Sequence, residues 1–241
     1  MNDTIRLSSS MTLLQSIEHF DHMETALRQI CRLFSLKHMT FLVVRAGTAS
    51  KQYPYYCTTY PKPWAEIYVA DKFFDIDPVI DILRWSRLPV DWSALDSGRH
   101  RQFFDCARLN DVGSHGMTIP LRGPNGERCL FSVSSDHSRA DWSFLKTHST
   151  HELFIISHLL HEKVLPALDL ATLRPWRALS PRERQCLEHI AVGLIPKQIA
   201  AKLSISESSV RLYLRSARRK LDAKTSHQAV ARASFCEMIK I

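Results

Sequence analysis

No run of 18 apolar residues occurs in this chain of 241 residues, so no segment is expected to cross a bilayer as a helix. The opening stretch MNDTIRLSSSMTLLQS lacks the basic start, apolar run and small-residue cleavage site of a secretory signal. A cytoplasmic protein with no membrane partner is therefore expected. The six cysteines, Cys31, Cys57, Cys106, Cys129, Cys186 and Cys236, contain no CxxC pair. That argues for packed, reduced thiols and against a disulfide framework or a zinc site. An HxHxDH metal motif, a GxSxG elbow and a defensible Ser/His/Asp set are missing too, so no catalytic residues, bound metal or cofactor are expected and the protein is not read as an enzyme. A phosphoreceiver's acidic pair, central aspartate and later lysine on alternating strands and helices are also not found.

What is present is positive charge, and it is concentrated. From residue 174 to the end there are 14 Lys and Arg against 5 Asp and Glu, whereas residues 1–173 hold 18 against 19. The net charge of +8 belongs to the last quarter of the chain. A compact, basic module of that size is the electrostatic footprint of a nucleic-acid binder, because each cation that meets a phosphate releases condensed counterions.

The pattern within that quarter is helical. Ser180-Pro181-Arg182-Glu183 forms a capping box with proline at the first helical position, and Cys186, Leu187 and Ile190 follow at helical spacing up to Gly193. A second helix starts at Pro196 and buries Ile199, Ala200 and Leu203. After the turn Ser204-Ile205-Ser206, a third helix reaches about Leu221, with Val210, Leu214, Ala217 and Leu221 on one face and Ser208, Arg211, Leu212, Arg215 and Arg219 opposite. Two short helices, a tight turn and a basic amphipathic second member predict a helix-turn-helix whose second helix enters the major groove of double-stranded DNA. Arg211 and Arg215 are candidates for bidentate guanine contacts. Arg218, Arg219, Lys220 and Lys224 are candidates for phosphate contacts, and Ser208, Ser209 and Leu212 complete the DNA-facing set.

These residues, LSPRERQCLEHIAVGLIPKQIAAKLSISESSVRLYLRSARRKLDAKTSHQAVARA, resemble the LuxR-type (GerE-like) four-helix DNA-binding domain over about 60 residues. The chain departs from the common pattern at Ile195-Pro196, at Tyr213-Leu214 and at Thr225-Ser226-His227.

The first 165 residues read as an amphipathic helix (about Met11 to Phe34), a strand (about Thr40 to Arg45), helices through 62–86, strands near Met117 to Leu121 and Cys129 to Ser134, and a long helix from about Ser143 to Leu165. The turn Arg122-Gly123-Pro124-Asn125-Gly126 joins the later strands as a hairpin. The fold class expected is α+β: an N-terminal α-β-α sandwich around an antiparallel sheet, followed by an all-α four-helix domain. Within the first part, Tyr60, Trp64, Tyr68, Asp77 and Trp92 concentrate aromatic rings around one carboxylate. Trp64 and Tyr68, four residues apart, share a helix face. Such a set can line an apolar pocket with a few directed polar groups. Asp77-Pro78 also reads as a helix cap followed by a first-turn proline.

The spacing of Trp64, Tyr68, Asp77-Pro78, Trp92 and Gly116 resembles the autoinducer-binding domain of quorum-sensing LuxR-type receptors. That resemblance implies an N-acyl-homoserine lactone as effector. Trp64 would donate to the lactone carbonyl, Asp77 would accept the ligand amide N–H, and Tyr60 and Ser132 would bond the acyl amide carbonyl. Tyr68 and Trp92 would pack around ring and chain with Thr118 nearby, and Val43, Val69, Phe73, Phe74, Val79 and Met117 are candidates for the wall of the acyl tail. It also implies a homodimer paired through helices of the N-terminal part, where Leu153, Ile156, Leu160 and Val164 form an apolar stripe. His148, His151, His158 and His161 lie beside that stripe without the i, i+4 spacing of helical metal ligands. The expected organisation is a ligand-binding and dimerisation domain at 1–165, a linker at 166–178 and a DNA-binding domain at 179–241. Two alternatives stay open: a regulator of this type that ignores lactones or senses another small molecule or a protein partner, and an enzyme acting on lactones.

Overall fold

The computed structural model describes residues 3–17, 22–45, 55–123, 127–167, 177–236 and 238–240, and these form two compact units. The first unit contains α1 (Asp3–Gln15), α2 (Met23–Leu33), β1 (His38–Arg45), β2 (Tyr55–Thr58), α3 (Lys62–Ala70), α4 (Pro78–Trp85), β3 (Val90–Asp91), α5 (Arg101–Leu109), β4 (His115–Arg122), β5 (Arg128–Ser135) and α6 (Arg139–Ala167). The five strands make one sheet in the order β2-β1-β5-β4-β3. The pairs β1–β2, β3–β4 and β4–β5 are antiparallel, with Thr40 opposite Thr58 and Thr118 opposite Ser132.

Side chains alternate across the sheet. Phe41 meets His161 of α6 edge-on at 6.5 Å, and Met117 meets Thr150 of α6, so these strand positions face the long helix. Leu153, Ile156, Leu160 and Val164 of α6 are fully buried against that side. The alternate positions, Thr118 and Leu130 among them, face a second core that includes Trp64, Val79, Ile82, Trp92, Phe104 and Ala107 from the elements between β2 and β4. Helices on both faces of an antiparallel sheet give the expected sandwich.

The single helix expected over Met11 to Phe34 is instead two helices. One rod of that length would run ~36 Å, and the two segments have different partners: α1 packs on α6, whereas α2 packs on α1 and β2 and buries Met23, Ala26, Leu27, Ile30 and Cys31. Arg6 ties α1 to α6 through Glu152 at 2.9 Å. Strands β2 and β3 and helix α5 were not foreseen. The long helix and both hairpin strands run one to four residues beyond their expected ends. The middle of the hairpin turn, residues 124–126, lies outside the described residues.

The second unit is built from α7 (Pro181–Ala191), α8 (Pro196–Leu203), α9 (Glu207–Lys220) and α10 (Ser226–Phe235). The capping box forms as expected: Ser180 Oγ accepts the Glu183 N–H, and Glu183 accepts the Ser180 N–H at 2.6 Å. Gly193 takes φ +87° just past α7, a conformation that favours glycine. The α8–α9 turn places Ser204 at φ +54°, and Ser206 caps α9 through the Ser209 N–H. Cys186, Leu187, Ile199, Val210, Ala217 and Leu221 form the core that all four helices share. Most of the expected linker, residues 168–176, lies outside the described residues.

Candidate functional site

A cavity of about 90 Å³ opens between the sheet and the α3–α5 layer. Tyr60, Trp64, Tyr68, Asp77, Trp92 and Ser132 all line it. Helix α3 brings in Trp64 and Tyr68 on one face, their rings edge-to-face at 5.8 Å. Trp64 is 3% exposed. Among the described residues no hydrogen bond from its indole N–H is found, and the residue lines the cavity.

Asp77 serves two ends. Its Oδ1 accepts the Val79 N–H at 2.7 Å and caps α4, while its Oδ2 accepts the Tyr68 hydroxyl at 2.6 Å. The same carboxylate therefore caps α4 and belongs to the lining of the cavity. Burial of the carboxyl raises its pKa to about 6, although the bonds from Tyr68 and Val79 pull the other way. The residue is half-buried and lines the cavity. Burial and the adjacent carboxylate push the Tyr68 phenol far up, so it remains a donor.

Trp92 owes its seat to Gly116. A Cβ at that position would lie 2.2 Å from the indole ring, so only glycine lets the ring lie flat on β4. The Trp92 indole N–H donates to Thr118 Oγ1 at 2.8 Å, and that hydroxyl shares a 2.8 Å hydrogen bond with Ser132 Oγ. Thr118 is fully buried and stands behind the cavity wall, orienting Trp92 and Ser132 from there.

The expected tail wall needs correction. Val69, Phe74 and Val79 line the cavity, and Phe73 backs it against Trp64 at 5.5 Å. Val43 and Met117 do not reach it. Their strand positions alternate with Leu42 and Thr118, which turns them toward the α6 side. Sequence reasoning also missed Thr40, Leu42, Tyr56 and Thr58 from β1 and β2, and Phe103 and Phe104 from α5. The alternation of β1 carried a signal for Thr40 and Leu42, and the Phe103-Phe104 pair was visible as an aromatic couple.

In the second unit, the face of α9 away from the core presents Ser208, Arg211, Leu212, Arg215 and Arg219 to solvent, with Leu212 65% exposed. Arg211 is steadied by Glu207 one turn earlier at 2.6 Å. Ser209 is half-buried and shares a hydrogen bond with the Ser206 cap. Arg218 turns to the Lys224 carbonyl at 3.3 Å, and Lys224 itself is exposed. Lys220 stands apart from the set expected to meet phosphates. Its ammonium donates to Glu183 at 2.7 Å and to the Ala178 carbonyl at 3.1 Å. Burial alone would raise the Glu183 pKa; the bonds from Lys220 and the Ser180 N–H outweigh it and hold the carboxylate below its usual range. The Glu183 side chain is 5% exposed, so Lys220 neutralises an otherwise costly buried charge.

Residues 20–164 match the family described as "Autoinducer binding domain", and residues 177–233 match that described as "Bacterial regulatory proteins, luxR family". The transcriptional activator protein RaiR of Rhizobium etli is 44% identical over 182 residues, 75% of each chain. The quorum-sensing regulator RhlR of Pseudomonas aeruginosa is 32% identical over 183 residues, 75% of this chain and 74% of that one. Among solved structures, SdiA in complex with octanoyl-rac-glycerol superposes with a TM-score of 0.70 at 20% identity, over 100% of this chain and 98% of that one.

Proposed function

This chain belongs to the LuxR family of quorum-sensing transcriptional regulators with an autoinducer-binding domain, and we propose that its effector is an N-acyl-homoserine lactone held in the cavity of the first unit. The observation that carries the reading is the convergence, in one apolar enclosure, of the unspent Trp64 indole N–H, the Asp77 carboxylate, the Tyr60 phenol and the Ser132 hydroxyl. Trp64 donates to the lactone carbonyl, Asp77 accepts the amide N–H, and Tyr60 and Ser132 bond the acyl carbonyl. Tyr68 and Trp92 pack on ring and chain, and Thr118 positions Trp92 and Ser132. A ligand N–H lessens the desolvation cost of the buried carboxylate, so site and ligand stabilise each other.

The assignment extends to the rest of the chain: residues 1–165 bind ligand and dimerise, 166–178 connect, and 179–241 bind a dyad-symmetric site on double-stranded DNA as a cytoplasmic homodimer. Arg211 and Arg215, with Ser208, Ser209 and Leu212, face base edges, while Arg218, Arg219 and Lys224 meet phosphates. Ligand shifts the population toward the DNA-competent state by as much as it binds that state better. The lactone is bound and not turned over, so intact lactone should be recovered after incubation with the protein.

Asp77→Ala and Trp64→Ala in the full chain should each abolish the lactone-dependent thermal shift and the lactone-dependent change in DNA binding. An unchanged response in both variants overturns the cavity assignment. A second reading, an acylglycerol effector, is favoured by the octanoyl-rac-glycerol complex of SdiA. Competition between that compound and a lactone for the purified protein separates the two.

A further inference from the structure

Three hydroxyls stand in a row on the sheet side of the cavity. The Tyr60 phenol is hydrogen-bonded with the Thr40 hydroxyl. Thr40 Oγ1 and Thr58 Oγ1, directly opposite each other on β1 and β2, are 2.5 Å apart. Thr58 Oγ1 also accepts the backbone N–H of Tyr60 at 3.0 Å. All three residues line the cavity, among Leu42, Val79, Leu130 and other apolar neighbours. A cross-strand threonine pair is an ordinary way to stabilise a sheet edge, but an edge pair has no need to face an apolar cavity beside a phenol.

Counting protons gives the row a direction. Each hydroxyl has one proton and two lone pairs. If Tyr60 donates to the acyl carbonyl, its own oxygen becomes the acceptor for Thr40, and Thr40 in turn accepts from Thr58. All three protons are then committed in the order Thr58 to Thr40 to Tyr60 to ligand. What remains is lone pairs: one on Tyr60, one on Thr40, and one on Thr58 after its bond from the Tyr60 N–H. The row offers acceptors and no donor. An unsubstituted acyl chain would desolvate those lone pairs without return, and a ketone would set a further acceptor against them. A hydroxyl two carbons beyond the acyl carbonyl carbon sits within a hydrogen-bond length of that carbonyl oxygen and brings the proton that the row lacks.

We propose that the Tyr60–Thr40–Thr58 row selects an N-acyl-homoserine lactone hydroxylated at acyl carbon 3. This rests on the lactone reading above and sharpens it to one class of ligand. The row also strengthens Tyr60 as a donor, because each hydroxyl polarises the next.

The test uses the full chain and two chain-matched trios of homoserine lactones: octanoyl, 3-oxooctanoyl and 3-hydroxyoctanoyl, and the same three with twelve carbons. Dissociation constants are compared within each trio. The wild type should favour the 3-hydroxy member over the unsubstituted one by about five- to tenfold, the worth of one neutral hydrogen bond, with the 3-oxo member below the 3-hydroxy. In Thr40→Val/Thr58→Val the preference should fall to within about twofold, and Thr40→Ser, which keeps the hydroxyl, should retain it. If the double variant does not fold, Thr40→Val alone against Thr40→Ser reads the same contrast. Equal binding within the trios, a 3-oxo preference, or a 3-hydroxy preference that survives loss of the threonine hydroxyls overturns the proposal while leaving the lactone reading intact. Binding of none of the six overturns the lactone reading and this proposal with it.

Discussion

Asp77 is bonded at both oxygens inside a layer that disfavours its charge, and its titration follows from that. The unfolded carboxyl releases its proton near 3.8 and the folded one near 6. Between those values the unfolded chain ionises first, so stability of the unliganded protein falls as pH rises through the window, by on the order of 2–3 kcal/mol, and is flat above it. Asp77→Asn keeps a helix cap and removes the window. Thermal melts from pH 4 to pH 7.5 should show the variant gaining on the wild type with rising pH; parallel curves would contradict the assigned burial. Gly116 is the second sensitive position. Gly116→Ala drives a Cβ into the Trp92 ring and should lower stability by about 1–3 kcal/mol, a cost typical of overpacking, with loss of the Trp92–Thr118 bond visible as altered tryptophan fluorescence.

At the level of elements, α9 commits Lys220 to the buried Glu183 and leaves Arg219 in solvent, where the proposed function sets it against phosphate. Lys220→Ala leaves Glu183 buried without its partner and should destabilise the second unit by roughly 1–3 kcal/mol. Arg219→Ala should leave the melt unchanged while reducing the slope of log affinity for DNA against log salt by about one. Finding the two effects exchanged would reverse the division. The helices of this unit could be read from sequence because their signals are local: a capping box, a proline at the first position, a glycine past the end. Trp64 and Tyr68 were readable for the same reason, being one turn apart. Strands β2 and β3, with four and two residues, are too short for alternation to declare itself. The Thr40–Thr58 contact further depends on a register between separate strands, which neither strand's pattern fixes. The break between α1 and α2 was hidden because Leu14, Ile17, Phe20 and Met23 carry apolar spacing of three residues across it in the sequence.

For the molecule as a whole, the structure buries the apolar stripe beside which two copies were expected to pair. Leu153, Ile156, Leu160 and Val164 belong to the interior of their own unit. The outward side of α6 carries Phe144, His148, His151, Ile155 and His158, with Ile155 41% exposed. If the proposed homodimer uses this helix, Ile155→Asp should shift the lactone-bound protein toward monomer in sedimentation velocity without lowering its melting temperature; an unaltered dimer places the interface elsewhere. The doubly bonded Asp77 bears on how such a receptor can diverge. Under the proposed role, a replacement must suit both the helix it starts and the compound it would hold, so the tolerated residues at this position are the few short polar ones that still cap. Lineages that change effector would then be expected to alter the wall around Asp77 before they alter Asp77 itself.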